Sequence, residues 1–278
     1  MPNDEPEMER MDMCHSMMTR AIGNRLFLAP LERSKIHAVL DVGTGTGILI
    51  TDKLIGAIEM GDLFENAEII GVDLSAIQPT WVPENVKFQV DDVESPWVEV
   101  KKYDFIFTRF LAASIRDWPK LIENVYNHLN PGGWAEFHEM NAEIYSDDGS
   151  YTENHVTWDW NQTFLETMEN LGIDPCPGPK LEGWVREQRF ENVFHQKIKN
   201  PLGPWPKDPW YKDLGLINLA QMLDGLEGFT LRVFCGALKR TKEQVLVEVA
   251  NVRNEMKTGA YHGLYDIHVV YGQKPPIS

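Results

Sequence analysis

Short apolar runs, each closed by an acid or a glycine turn, recur through the first half of the chain, and stretches with apolar residues three or four apart follow them. Compact runs rich in β-branched and aromatic residues predict buried strands, and the wider spacing predicts helices. Strands are expected at 39–42, 68–73, 86–90, 103–107, 134–140, 192–199 and 264–271. Helices are expected at 7–22, 48–59, about 117–129, 158–171 and 181–190, with two more within 200–263. Strands alternating with helices build a parallel sheet with helices on both faces.

Asp117-Trp118-Pro119 opens its helix with a capping acid and an early proline, and Leu121, Val125, Tyr126 and Leu129 line one face. That helix is expected to end at Pro131-Gly132-Gly133. In the strand that follows, Trp134, Glu136 and His138 share one face and Ala135, Phe137 and Glu139 the other. Thr241-Lys242-Glu243-Gln244 reads as a capping box, and Leu214, Ile217, Leu219, Met222, Leu223 and Leu226 as one amphipathic helix.

The run Val39-Leu40-Asp41-Val42-Gly43-Thr44-Gly45-Thr46-Gly47 joins a strand, an acid and a three-glycine turn. Glycine permits positive φ and close backbone approach to a ligand. Gly47 is followed by Ile48-Leu49 and not by Lys-Ser/Thr, which argues against a triphosphate loop. The Gly-x-Gly-x-Gly spacing is tighter than a dinucleotide fingerprint and fits a ligand without a pyrophosphate. The next two strands end at Asp73 and at Asp91-Asp92. In an open parallel sheet such ends face one crevice, where Asp73 is placed to accept from ribose hydroxyls and Asp92 from a purine amino group. Capping of the following turns is the plainer use of the same acids.

These residues, with Leu129-Asn130-Pro131-Gly132-Gly133-Trp134 further on, resemble the class I S-adenosylmethionine-dependent methyltransferases. Gly71-Val72-Asp73-Leu74-Ser75, Asp91-Asp92-Val93-Glu94-Ser95-Pro96-Trp97, Gly203-Pro204-Trp205-Pro206-Lys207-Asp208 and Val270-Tyr271-Gly272-Gln273-Lys274-Pro275 are similar to the fungal LaeA-like branch. That branch includes regulators of secondary metabolism and methyltransferases of natural-product pathways. The resemblance implies a Rossmann-like, mainly parallel seven-stranded α/β sheet with its last strand antiparallel and S-adenosyl-L-methionine as cofactor. Asp41, Gly43, Gly45 and Gly47 would line the methionine part, Asp73 the ribose, and Asp92 with Val93 the adenine; Thr44, Leu74, Asp91 and Arg109 complete the expected cofactor contacts.

One methyltransferase domain over 1–278 is expected: leading helices at 1–35 as a lid, a cofactor core at 36–140, substrate elements and strand six at 141–200, a helical insertion between strands six and seven at 201–263, and the last strand at 264–278. Met8, Met11, Met13, Met17 and Met18 suit core packing or a lid in the first helix, and Arg10 and His15 match residues expected of a LaeA-like leader.

Acids outnumber bases 42 to 26, a net charge of −16 that would repel a nucleic-acid backbone. The three cysteines, 14, 176 and 235, show no CxxC spacing, and neither a secretory leader nor a membrane-spanning run stands out, so a cytoplasmic protein without membrane association is expected. No metal-ligand spacing is present, and no metal is expected. An aromatic, apolar insertion suits a hydrophobic small-molecule acceptor; a homodimer contact would use the same residues.

Methyl transfer from a sulfonium needs positioning above all, and a base only for a weakly acidic acceptor. His138 is the first candidate base, with Arg109 and His155 as further catalytic candidates and Trp158, Trp205 and His262 on the acceptor side. The reaction expected is O-methylation of a natural-product intermediate. A LaeA-like regulatory subunit, a protein methyltransferase and a cofactor-bound cyclase that transfers no methyl remain as rivals.

Overall fold

The computed structural model describes residues 5–45, 57–79, 81–98 and 100–277. Its seven strands are β1 (Ala38–Val42), β2 (Glu68–Asp73), β3 (Val86–Val90), β4 (Tyr103–Arg109), β5 (Leu129–Tyr145), β6 (Glu191–Pro201) and β7 (Leu264–Gln273), in the sheet order β3-β2-β1-β4-β5-β7-β6. β1 pairs in parallel with β2 and β4, β2 with β3, and β4 with β5. Backbone bonds between Gly132–Gly133 and Lys274 join the start of β5 to the chain just beyond β7, while Tyr145 at the end of β5 donates to Asp266 near the start of β7. β7 therefore runs antiparallel to β5, as the resemblance implies.

Among the described residues the helices are α1 (Glu5–Ala21), α2 (Ala57–Leu63), α3 (Trp118–His128), α4 (Val156–Asn170), α5 (Leu181–Glu187), α6 (Pro209–Gly236) and α7 (Lys242–Thr258). The expected helix at 48–59 lies mostly outside the described residues, as do Thr46 and Gly47. α3 carries the Asp117 cap, whose side chain accepts from Lys120 N, but it stops at His128. Leu129 already belongs to β5, which corrects the expectation of a helix running to Pro131. The Pro-Gly-Gly segment is a bulge inside the strand. Tyr103 faces Leu129 and Phe105 faces Trp134, so Asn130–Gly133 loops out of register, held where Asn130 Nδ2 donates to Asp104 Oδ1 at 2.7 Å.

The contacts divide the chain into two compact units: Asn24–Glu139, Pro177–Lys197 and His268–Ser278 form one, and Met1–Gly23, Met140–Cys176 and Ile198–Ile267 the other. In the first, the central strands bury both faces. Leu40, Val42, Ile106, Ala135 and Phe137 pack with Leu121, Ile122 and Val125 of α3 and Val185 of α5. Val39, Ile69, Phe105 and Phe107 pack on the opposite face with Ile58 and Met60 of α2. Strands covered on both faces read as unbroken apolar runs, which explains the pattern in the sequence.

The second unit has its own core, where Trp160, Leu226, Phe234, Val245, Val249 and Val252 bring α4, α6 and α7 together. α1 packs along α6 and buries Met17 and Met18 completely. It also buries Glu7, Arg10, Cys14 and His15. Arg10 is paired with Glu7, Cys14 donates to Gln221, and Gln221 and Tyr265 both donate to Asn218. A buried polar chain of this kind costs little because its members supply one another's hydrogen bonds.

The capping box at the head of α7 is present, with Thr241 accepting from Gln244 N and Gln244 accepting from Thr241 N. Thr241→Ala should lower stability by about 1 kcal/mol, read as a shift of the urea midpoint monitored by far-ultraviolet dichroism.

Candidate functional site

Parallel pairing aligns the carboxyl ends of β1, β2, β3 and β4 on one edge of the sheet, and the acids and glycines singled out from the sequence collect there. Gly43 has φ +74° and Gly45 φ +61°, both in the region that favours glycine. A Cβ at Gly43 would stand 2.3 Å from Leu111 Cδ2. Leu111 is fixed in turn by buried Glu139, whose two oxygens accept from the amides of Leu111 and Ala112 at 2.6 and 3.1 Å.

Asp73 ties the turn to the next strand: one oxygen accepts from Gly45 N and the other from Ser75 N, each at 2.9 Å. Gln78 Nε2 donates to Gly45 O from the same side. Each carboxylate oxygen keeps a further lone pair for a ligand hydroxyl. Beside it, Leu74 is 67% exposed. Asp92 is exposed and shapes its own turn through Glu94 N and Ser95 Oγ, while Asp91 accepts from Asp92 N. Val93 is half-buried against the core. The donor set fits a nucleoside: a paired-oxygen acid, an exposed leucine and a second acid at successive strand ends, beside a turn without bulky side chains.

Asp41 lies inside this edge, buried, and accepts from Thr44 Oγ1 at 2.7 Å. Burial pushes its carboxyl up to about 6, opposed by the Thr44 hydroxyl and the charge of Arg109 and reinforced by Asp73. Arg109 is held by burial down to about 10 against the pull of Asp41, Glu136 and Glu59, and stays cationic. Its Nη2 donates to Leu26 O at 2.8 Å, its Nε donates to His138 Nδ1 at 3.2 Å, and its guanidinium lies over the Phe107 ring.

His138 has no exposed surface. With Nδ1 accepting from Arg109, its Nε2–H donates to Glu136 Oε1 at 2.5 Å. Burial first, and Arg109 besides, hold it near 4, so it is neutral at physiological pH. Both nitrogens are spent within the chain, and the expected catalytic base at this position has no lone pair to offer an acceptor. The strand alternation was read correctly; the face it puts His138 on is interior.

Glu136 and Glu139, which sequence reasoning placed on faces without a function, are the anchors of this edge. Glu136 accepts from the amides of Leu28 and Ala29 as well as from His138. Charged residues inside an otherwise apolar strand were the available signal, since buried charge is retained only with dedicated partners.

The acceptor-side candidates fall in the other compact unit. His155 precedes α4 with Nδ1 against Thr152, and its Nε2 has no hydrogen-bond partner among the described residues. Its ring, with Trp158, joins buried Tyr151 and Tyr261, whose centroids are 4.7 Å apart; the Tyr151 hydroxyl has no hydrogen-bond partner among the described residues. Trp205 stacks on His262, which is ion-paired with Asp148. Tyr151 and Tyr261 were missed because isolated tyrosines carry no spacing signal.

A fold and strand-end site of this kind define a methyltransferase class, and comparison with known proteins gives the family. Residues 13–193 match the methyltransferase domain family. The chain is 42% identical over 276 residues to the methyltransferase pytC of Aspergillus terreus, covering 99% of this chain and 82% of that one. It is 32% identical to the secondary metabolism regulator LAE1 of Cochliobolus heterostrophus, covering 99% and 89%. A Haemonchus contortus phosphoethanolamine N-methyltransferase 2 solved with S-adenosylhomocysteine shares the fold, with TM-score 0.54, 18% identity, and coverage of 94% of this chain and 52% of that one. The chain belongs to the methyltransferase domain family, within the fungal secondary-metabolism group that includes LaeA-like proteins.

Asp41 and His138 titrate against each other. Asp41 moves from 3.8 up to about 6, so the stability gained from its proton is complete below pH 4 and lost as pH rises through 6. His138 moves from 6.5 down to about 4, so the stability of its neutral form is complete above 6.5 and lost as pH falls through 4. Asp41→Asn removes the first slope only. Relative to the unaltered chain it should gain on the order of 2–3 kcal/mol between pH 4 and pH 7, read from denaturant midpoints at each pH.

Proposed function

We propose that this methyltransferase uses S-adenosyl-L-methionine to methylate an oxygen of a small, largely apolar natural-product intermediate in the cytoplasm. The observation that carries the cofactor reading is the alignment on one sheet edge of the Gly43–Gly45 turn, the Asp73 carboxylate and Asp92. The name methyltransferase pytC of the 42% identical relative supports transfer as the activity. When bound, the cofactor supplies a methyl on a sulfonium that leaves as a neutral thioether, so orientation and exclusion of water provide most of the acceleration.

On the acceptor side, the aromatic group of Tyr151, His155, Trp158 and Tyr261 supports an apolar ligand carrying a polar group, because the buried Tyr151 hydroxyl there has no hydrogen-bond partner among the described residues. A hydroxyl acceptor needs a base and a carboxylate acceptor needs none. No helix among the described residues is long and apolar enough to cross a membrane.

A regulatory reading has one observation in its favour, the 32% identity to LAE1. Incubation of the chain with methyl-labelled cofactor and metabolite extracts distinguishes the two. Label in a low-molecular-weight product supports the enzyme; label only in protein, or none, supports the regulator. Asp73→Asn should weaken S-adenosylhomocysteine binding at least about tenfold, the loss of one charged hydrogen bond, by calorimetry.

A further inference from the structure

Glu136 is a fully buried carboxylate, and the cofactor reading gives it no contact to make. Its oxygens accept from Leu28 N at 2.8 and 2.9 Å, from Ala29 N at 2.5 Å and from His138 Nε2 at 2.5 Å. A carboxylate with no exposed surface is tolerable only when its hydrogen bonds are supplied in this way. What it holds is the backbone of residues 26–29.

The other end of the same short segment is held by Arg109, through Leu26 O, and His138 joins the two anchors. Leu26 carbonyl, Arg109, His138, Glu136 and the Leu28 and Ala29 amides thus form a closed ring of hydrogen bonds. Arg109 and His138 are register partners on β4 and β5, and Glu136 lies opposite Phe107. Phe27, inside the ring, packs against Phe64 and Phe105. The segment is therefore strapped to the carboxyl end of β4 and the middle of β5 by polar groups at both sides of an apolar anchor.

Arg109 follows Thr108, the register partner of Val42, at the strand end beside Asp41, and its charge opposes the burial of that carboxyl. Asp41 in turn takes the Thr44 hydroxyl in the glycine turn, and Gly45 is tied to Asp73. We infer that Glu136 and His138 are positioning residues: by holding Arg109 between the strap and Asp41, they couple docking of residues 26–29 to the affinity of the glycine turn for S-adenosyl-L-methionine. This rests on the cofactor reading above.

The role asks for one donor and one acceptor at position 138, not for a titratable ring. A glutamine offers the same pair, with its amide oxygen accepting from Arg109 and its amide N–H donating to Glu136. A leucine offers neither. A proton-transfer role would make the opposite demand, because glutamine cannot take a proton at neutral pH.

The probe is S-adenosylhomocysteine titrated by calorimetry into the full chain and into His138→Gln, His138→Leu and Glu136→Gln, with near-ultraviolet dichroism confirming folded protein. His138→Leu and Glu136→Gln should weaken binding about tenfold, and His138→Gln should stay within about threefold, since one such hydrogen bond is worth about a factor of ten. Hydrogen exchange needs no variant: the ligand should slow exchange of the Leu28 and Ala29 amides in the unaltered chain, because coupling between two sites is reciprocal. Unaltered affinity in folded His138→Leu or Glu136→Gln, equal weakening by glutamine and leucine, or unchanged exchange at Leu28 and Ala29 overturns the inference. No binding by the unaltered chain overturns the cofactor reading itself.

Discussion

Parallel pairing of β1 with β2 and β4, and of β2 with β3, brings residues 41, 73, 92 and 109 to one edge although long stretches of chain separate them. Nothing in an individual strand produces a binding site. Four strands terminating together leave a row of amides, carbonyls and short side chains, and the turn after β1 lies along that row. Gly43 meets this requirement with a positive φ and with the Leu111 side chain already in the space a Cβ would take. Glu139 fixes Leu111, so a residue on β5 sets the shape of the turn after β1.

Charge at the same edge follows a second constraint. A neutral imidazole stands between Arg109 and Glu136, accepting a hydrogen bond from the one and donating to the other. This arrangement spreads the opposite charges over three side chains, while both ring nitrogens of His138 are satisfied. The opposed titrations of Asp41 and His138 result from the same burial, which disfavours the charged form of an acid and of a base alike.

The strands were legible because a sheet covered on both faces needs continuous apolar runs, and β2 and β3 lie where the pattern places them. The Thr241 box and the Asp117 cap were legible because each cap is a local exchange of hydrogen bonds. The bulge at Asn130–Gly133 was not, because Pro-Gly-Gly also ends helices; only the pairing of β5 with β4 and the Asn130–Asp104 bond decide its place. The strand-end acids could be read from order along the chain, whereas the surroundings of His138 include Glu136, which alternation puts on the same face, and Arg109 and Leu26, which periodicity does not reveal. Alternation gave the face of His138 and nothing about what that face meets.

The chemistry explains why a histidine at this strand end can be given over to structure. A methyl donor whose leaving group is neutral makes no demand for an acid, and an ionised oxygen acceptor makes none for a base. The costly requirement is a dry, fixed geometry, and buried hydrogen-bonded rings supply fixed geometry better than mobile titratable groups do. A residue whose two nitrogens are both consumed within the chain is therefore suited to the edge where the cofactor turn must be held.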